Sequence, residues 1–276
     1  MNTKMKKFIA ATVAVLGVSV AHAVSLPLFT GKQLLSDNSA EILIKSDRNS
    51  QAGIVEIGDR LVGIFSIDTA EQSPSLERTF ATYGVELTGT FDITVVAKQV
   101  FFTPGGPQYF FSFAATDPTG LAVKMYSDST IDFTRSFTGS VTTAAQMIAT
   151  ATDGDPFADL GFASGADFWL AQTVSDDIGS IGNIPAPGNG GNFNLGLDLI
   201  NNYSGYQFNK VACGPFSVLV DVCGSGSLLG KGGESTPFAS YDDVNFVVDI
   251  PEPGSLSLVG AALFSAAALR RRKQAK

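Results

Sequence analysis

A mainly antiparallel β-sandwich of jelly-roll type, with one or two short helices inserted, is the fold class that the sequence predicts for residues 24–250. Charged residues make up only 16% of the chain while it holds 29 glycines and 21 phenylalanines, a balance that favours strands and turns over long helices. Within residues 85–97, Phe91, Ile93 and Val95 alternate with Thr90, Asp92 and Thr94, the period of a strand with one buried face. Turn chemistry follows: Thr116-Asp117-Pro118-Thr119-Gly120 separates Tyr109–Ala115 from Leu121–Tyr126 as the loop of a hairpin.

The chain opens with a leader. Lys4, Lys6 and Lys7 precede an apolar stretch from Phe8 to Val20, and Ala21-His22-Ala23 supplies the small-x-small pattern after which a signal peptidase cuts. Residues 1–23 therefore read as a secretory signal peptide, its apolar core too short for a retained membrane helix. An irregular stretch, Leu26 to Gly31, and a polar segment through Ser50 follow. Ile54–Ile57 and Leu61–Ile67 flank Gly58-Asp59 as a hairpin. Leu61, Phe65 and Ile67 share one face and Val62 and Ile64 the other, so that strand is covered on both sides. In the next unit Tyr109, Phe111 and Phe113 face the core, while Phe110 points away from it, near Phe101 or Phe102. Such outward rings either stack on sugars or lie under a covering loop.

Beyond Val141 the period changes. Ala144, Met147, Ile148 and Ala151 fit one face of an amphipathic helix, with Thr142 or Thr143 as its cap. Asp155-Pro156 reads as the start of a short turn through Phe157 and Leu160. The Gly/Asn-rich run from Gly179 to Gly196 reads as a long surface loop. Tyr206–Val211, Phe216–Val222 and Tyr241–Ile250 complete the strand candidates, and no repeat recurs at a fixed period.

Two counts exclude whole classes of chemistry. The one histidine, His22, leaves with the leader, so residues 24–250 offer no imidazole for a triad, a proton shuttle or a zinc site. The two cysteines, Cys213 and Cys223, read as a disulfide in an oxidising exported compartment, being too far apart for a Cys-x-x-Cys redox pair. Carboxylates remain. Asp153, Asp155 and Asp159 are calcium candidates because calcium takes several oxygens from flexible loops, although the complete EF-hand pattern is absent. Carboxylate pairs for glycoside hydrolysis can be composed from these, from Asp176-Asp177 or from Asp242-Asp243, and the sequence selects none. The expectation is a protein without catalytic residues or cofactor, and not an enzyme.

Three basic residues lie in the leader and five in the last twenty-six residues, leaving ten of eighteen; of twenty-six acids only Glu252 is outside the body, leaving twenty-five. Residues 24–250 thus carry a net charge of −15, against −8 for the whole chain. So acidic a body repels nucleic acid and anionic lipid and remains compatible with neutral or cationic polysaccharide.

The last twenty-six residues place three parts in order: Pro251-Glu252-Pro253, an uncharged run from Gly254 to Leu269, and Arg270-Arg271-Arg272-Lys273 within a basic end, 270–276. As a helix the sixteen-residue run covers roughly 24 Å, less than a hydrocarbon core of about 30 Å, so it spans with snorkelling arginines and local thinning. A basic cluster after a short apolar helix stays in the cytoplasm, which puts the preceding chain outside. These residues, in this order, resemble the PEP-CTERM sorting signal of Gram-negative bacteria. The resemblance implies a single transmembrane sorting helix, a transient inner-membrane intermediate, and removal of the tail near the triplet by an integral-membrane exosortase. A permanent C-terminal anchor is the other reading. Proteins with this signal accompany exopolysaccharide, biofilm or floc formation, so the resemblance implies a matrix or surface protein with extracellular polysaccharide as partner. The Ala-Thr-Asp-Gly segment, the pair Phe168-Trp169 and the acidic last strand look like the flocculation-associated members. The competing class is a secreted carbohydrate-binding module or a carboxylate-dependent hydrolase.

Overall fold

A computed structural model describes residues 26–47, 51, 53–73, 75–135, 143–177, 191–230 and 240–252. The elements in chain order are β1 Gly31–Ile44, β2 Arg60–Ser73, β3 Leu76–Thr79, β4 Glu86–Thr103, β5 Gly106–Ala115, β6 Leu121–Asp128, α1 Ala144–Thr150, β7 Asp155–Gly161, β8 Phe168–Thr173, β9 Gly191–Asn202, β10 Val211–Cys213, β11 Val218–Val220, β12 Val222–Gly230 and β13 Ser240–Ile250.

The expected sandwich is a closed barrel instead. Eight antiparallel strands run β2-β1-β13-β12-β9-β7-β6-β4, and β4 pairs back onto β2 from Arg60↔Thr94 to Ser66↔Thr88. That ladder removes the free edges two packed sheets would have. A strand with one buried face reads the same in either architecture, so alternation alone does not separate them. The long strands β4 and β9 let part of the wall be built twice. On the edge of β4 away from β2, β6 pairs with residues 86–91 and β5 with residues 93–103. On β9, β7 takes residues 198–202 and β8 residues 192–196. β6 pairs β7 and β5 pairs β8, so either pair completes an eight-strand circuit.

The interior is aromatic and aliphatic. Trp169 lies 5.4 Å from Phe91 and 6.3 Å from Phe193, between ring centroids. Two glycines make room for rings across the closing ladder: a Cβ on Gly63 would fall 2.2 Å from the Phe91 ring, and one on Gly89 2.5 Å from the Phe65 ring. Eight strands enclose about the space their side chains fill, and a cavity of about 50 Å³ remains.

The expected helix forms as α1. Thr143, not Thr142, caps it: its hydroxyl accepts from Gln146 N at 3.2 Å, while Gln146 Oε1 accepts from Thr143 N, a reciprocal capping box. Met147 and Ala151 bury against Ala40 and Ile64 on the outside of β1 and β2. This is why β2 is apolar on both faces.

Several expected elements differ. Ile54–Ile57 forms no strand, only an isolated bridge from Ile54 to Asp177. Asp59 gathers this loop instead, accepting from Ser46 N and Glu56 N, each at 2.8 Å, and from Lys45 Nζ. Asp155-Pro156 opens β7 rather than a turn. The Gly/Asn-rich run gives way to strand at Gly191, because Phe193, Leu195 and Leu197 reach the interior; residues 179–190 lie outside the described residues. Tyr206–Val211 is strand only from Val211, and Phe216–Val222 divides into β11 and the start of β12 around Asp221.

Cys213 and Cys223 are bonded, with Cα atoms 5.3 Å apart. The bridge fastens the small β10–β11 hairpin to β12, where Val211 and Val220 pack with Phe168 and Val247 on the barrel's outer surface. Replacing both cysteines by serine is expected to cost about 2–3 kcal/mol of unfolding free energy. Chemical denaturation checks this, and reductant should bring the unaltered protein down to the variant's value.

Candidate functional site

The described end of the sorting region is set by the barrel's last strand. In β13, Val244, Val248 and Ile250 are buried and Asp243 and Asn245 exposed, so the alternation seats the strand between β1 and β12. Gly31 pairs with Ile250 and Lys32 with Asp249. Asn209 holds Asp249 from the outside: its N–H donates to the Asp249 carbonyl at 2.8 Å, and its Nδ2 donates to Asp249 Oδ2 at 3.2 Å. Pro251 then ends the ladder, having no N–H to give it. It is half-buried, and Glu252 is exposed.

The other end of the body leaves from the same rim. Leu26 is buried, and its carbonyl accepts from the Tyr206 hydroxyl at 3.3 Å. The Arg78 guanidinium stacks 3.9 Å over the Phe29 ring and donates to the Leu28 carbonyl at 3.1 Å. Gly31 and Pro251 therefore lie at one end of the barrel. Ala21, Ala23, Pro253, the expected membrane segment 254–269 and Arg270, Arg271, Arg272 and Lys273 lie outside the described residues. Among the described residues no helix is long and apolar enough to cross a membrane.

The acidic residues are distributed over separate places. Asp159 accepts from Asn201 Nδ2 at 2.8 Å and from the Tyr203 hydroxyl at 3.1 Å. Asp155 is exposed at the end of β7 opposite Ser127. Asp153 instead neighbours Asp128 and Asp132, whose carboxyls are raised by burial and then by its charge. The calcium candidates are thus not brought together, and no group of three possible ligands that could hold a metal occurs among the described residues. Glu86, next to this group, is pushed up to about 7 by burial, with Asp128 and Asp132 adding to it. It accepts from Asp132 N at 2.9 Å and Phe133 N at 3.0 Å, so it anchors a loop.

Sequence reasoning named Asp242 only beside Asp243 and missed the buried acidic group that it joins. Asp37 and Glu41 of β1 and Asp242 of β13 are buried, with Asp37, Ser39 and Asp242 lining the interior cavity. Asp37 accepts from Val244 N at 2.7 Å, and no donor among the described residues reaches Asp242 Oδ1. Burial, and then neighbouring carboxylates, hold both Asp37 and Asp242 well above the usual carboxylate range. About 50 Å³ admits a few waters and no sugar ring.

The outward phenylalanine is where the sequence places it. Phe110 and Phe101 meet edge to face, 5.4 Å between centroids, and Phe102 is 86% exposed. β4 outruns its ladder with β2 at Thr94, so the β4–β5 hairpin projects at the end opposite the two termini.

A closed barrel with a disulfide, an export leader pattern and a C-terminal sorting segment starting at its last strand defines an exported, C-terminally sorted protein. Residues 249–273 match the family model of the PEP-CTERM protein-sorting motif, which implies processing by exosortase in a Gram-negative bacterium. No curated protein and no solved structure matches the chain.

Proposed function

We propose that the body, residues 24–250, is a non-enzymatic component of the extracellular matrix or cell surface that acts with exopolysaccharide in biofilm or floc formation, as the flocculation-associated members do. The observation that carries this reading is the junction: the sorting motif begins in the strand that completes the barrel, so removing the tail leaves a whole acidic domain outside the cell. The barrel interior supports a non-catalytic role, since its carboxyl groups face a cavity too small for a sugar. A calcium requirement is no part of the proposal.

Deleting the chain from its producing strain tests the reading. The expected result is lost aggregation with unchanged polysaccharide chain length. Longer polymer chains in the deletion strain would instead identify a hydrolase, and normal aggregation would remove the matrix role.

A further inference from the structure

Resting on that matrix reading, the structure assigns a binding face for a neutral polysaccharide to the outer surface of β5, β8, β9 and β12. Two adjacent rows of side chains cross these strands. One runs Gln99, Phe110, Gln172, Asn192 and Ser227, each directly opposite the next. The other runs Ser112, Leu170, Asn194, Ser225 and Asn245, and continues to Ser36, whose hydroxyl donates to Asn245 Oδ1 at 2.7 Å. Neither row contains a charge; the first ends at Asp243, opposite Ser227. On a body with a net charge of −15, a face of this width without a carboxylate is a distinct chemical surface.

The residue types name the ligand. Amides and hydroxyls each offer donors and acceptors, the complement of a chain of sugar hydroxyls. Gln99, Asn192, Ser225 and Ser227 are exposed. Gln172 Nε2 donates to Gln108 Oε1 at 3.3 Å, holding two amides beside Phe110, which is 37% exposed and packed on Phe101. That ring pair sets an apolar wall beside Gln99 and Gln172 on which a sugar face can stack. Nucleic acid and acidic polymers find no cation in these rows among the described residues, and a second copy brings its own −15. Below the rows the β10–β11 hairpin covers the barrel, packing Val220 toward Gly196 and Phe168, so that among the described residues the amide rows are the uncovered part of this face.

The test is co-sedimentation of the full-length protein, in non-ionic detergent, with cellulose, starch, cross-linked dextran, the polymer secreted by its own cells, and anionic alginate. The expected result is retention on at least one neutral polymer, unchanged in high salt. The double variant Gln172→Glu, Asn192→Asp should weaken it at least tenfold, and Phe110→Ala should weaken it severalfold, both at an unchanged melting temperature. Lys124→Ala, on another face, should bind as the unaltered protein does. No retention on any neutral polymer, binding that survives the charged variant, or salt-sensitive preference for alginate would overturn the assignment. In the deletion strain the two proposals separate: if the charged variant restores aggregation, the face is wrong and the matrix role stands, whereas a deletion strain that aggregates normally removes the matrix role.

Discussion

Replacing Pro251-Glu252-Pro253 by three alanines is expected to leave the full-length precursor in the inner membrane. The triplet lies within the matched sorting motif, residues 249–273, and it begins immediately after a residue locked in the sheet. Ile250 is 4% exposed and paired to Gly31, and Asp249 is held on a second side by Asn209. Once the barrel is closed, an enzyme cannot draw those residues into an extended cleft without opening β13, so recognition has to use the segment from Pro251 onward. Fractionation and immunoblotting check the outcome: the variant should be absent from the medium and accumulate as the larger form with membranes. Release at normal size would overturn the processing role of the triplet. The barrel itself should be untouched, because Pro251 gives the ladder no hydrogen bond.

The second large effect concerns pH. Stability is expected to fall as pH rises from 5 to 8, because buried carboxyl groups, Asp37, Asp242 and Glu86 foremost, bind protons more tightly in the folded chain than in the unfolded one. Asp37 and Asp242 are raised by burial in the barrel and then by nearby carboxylates, among them Glu41 and Asp243. Glu86 is raised to about 7, again by burial first. For each, the contribution is complete below the ordinary carboxyl value near 4 and is lost as pH climbs through the folded one. For Glu86 that window ends near 7 and corresponds to about 3 kcal/mol, less whatever water screens. Urea unfolding at pH 5 and 8 measures the slope. Asp242→Asn keeps the shape without the charge, so it should flatten the profile and leave the variant the more stable protein at pH 8. Stability that rises over this range, or an unchanged slope in the variant, would show that these groups are not protonated in the fold.

That interior group also explains what the sequence concealed. β1 carries Gln33, Asp37, Ser39 and Glu41 on its buried face, so fourteen residues of strand read as a polar segment. β12 is written largely in glycine and serine, with Gly224 and Gly226 yielding space to Leu195 and Phe193. Neither has the apolar alternation by which a strand is recognised, because each strand's buried positions are filled by what its neighbours leave room for. By contrast β4, the β5–β6 hairpin, α1 and β13 were legible from local pattern, since their apolar positions alone set which face turns inward.

The sequence by itself determined the parts whose chemistry is local: the leader pattern with the one histidine inside it, the sorting tail, the acidic body, the cysteine pair and the outward Phe110. These depend on residue type and order within a short stretch. Only the tertiary structure decided that the sheet closes, that Gly31 and Ile250 meet on one rim, that Asp37 and Asp242 line one interior cavity, and that Gln99, Gln172 and Asn192 fall in one row. Each of these depends on register between strands distant in the chain. A shift of one residue would turn every side chain to the other face, and the pattern within a single strand cannot report that pairing.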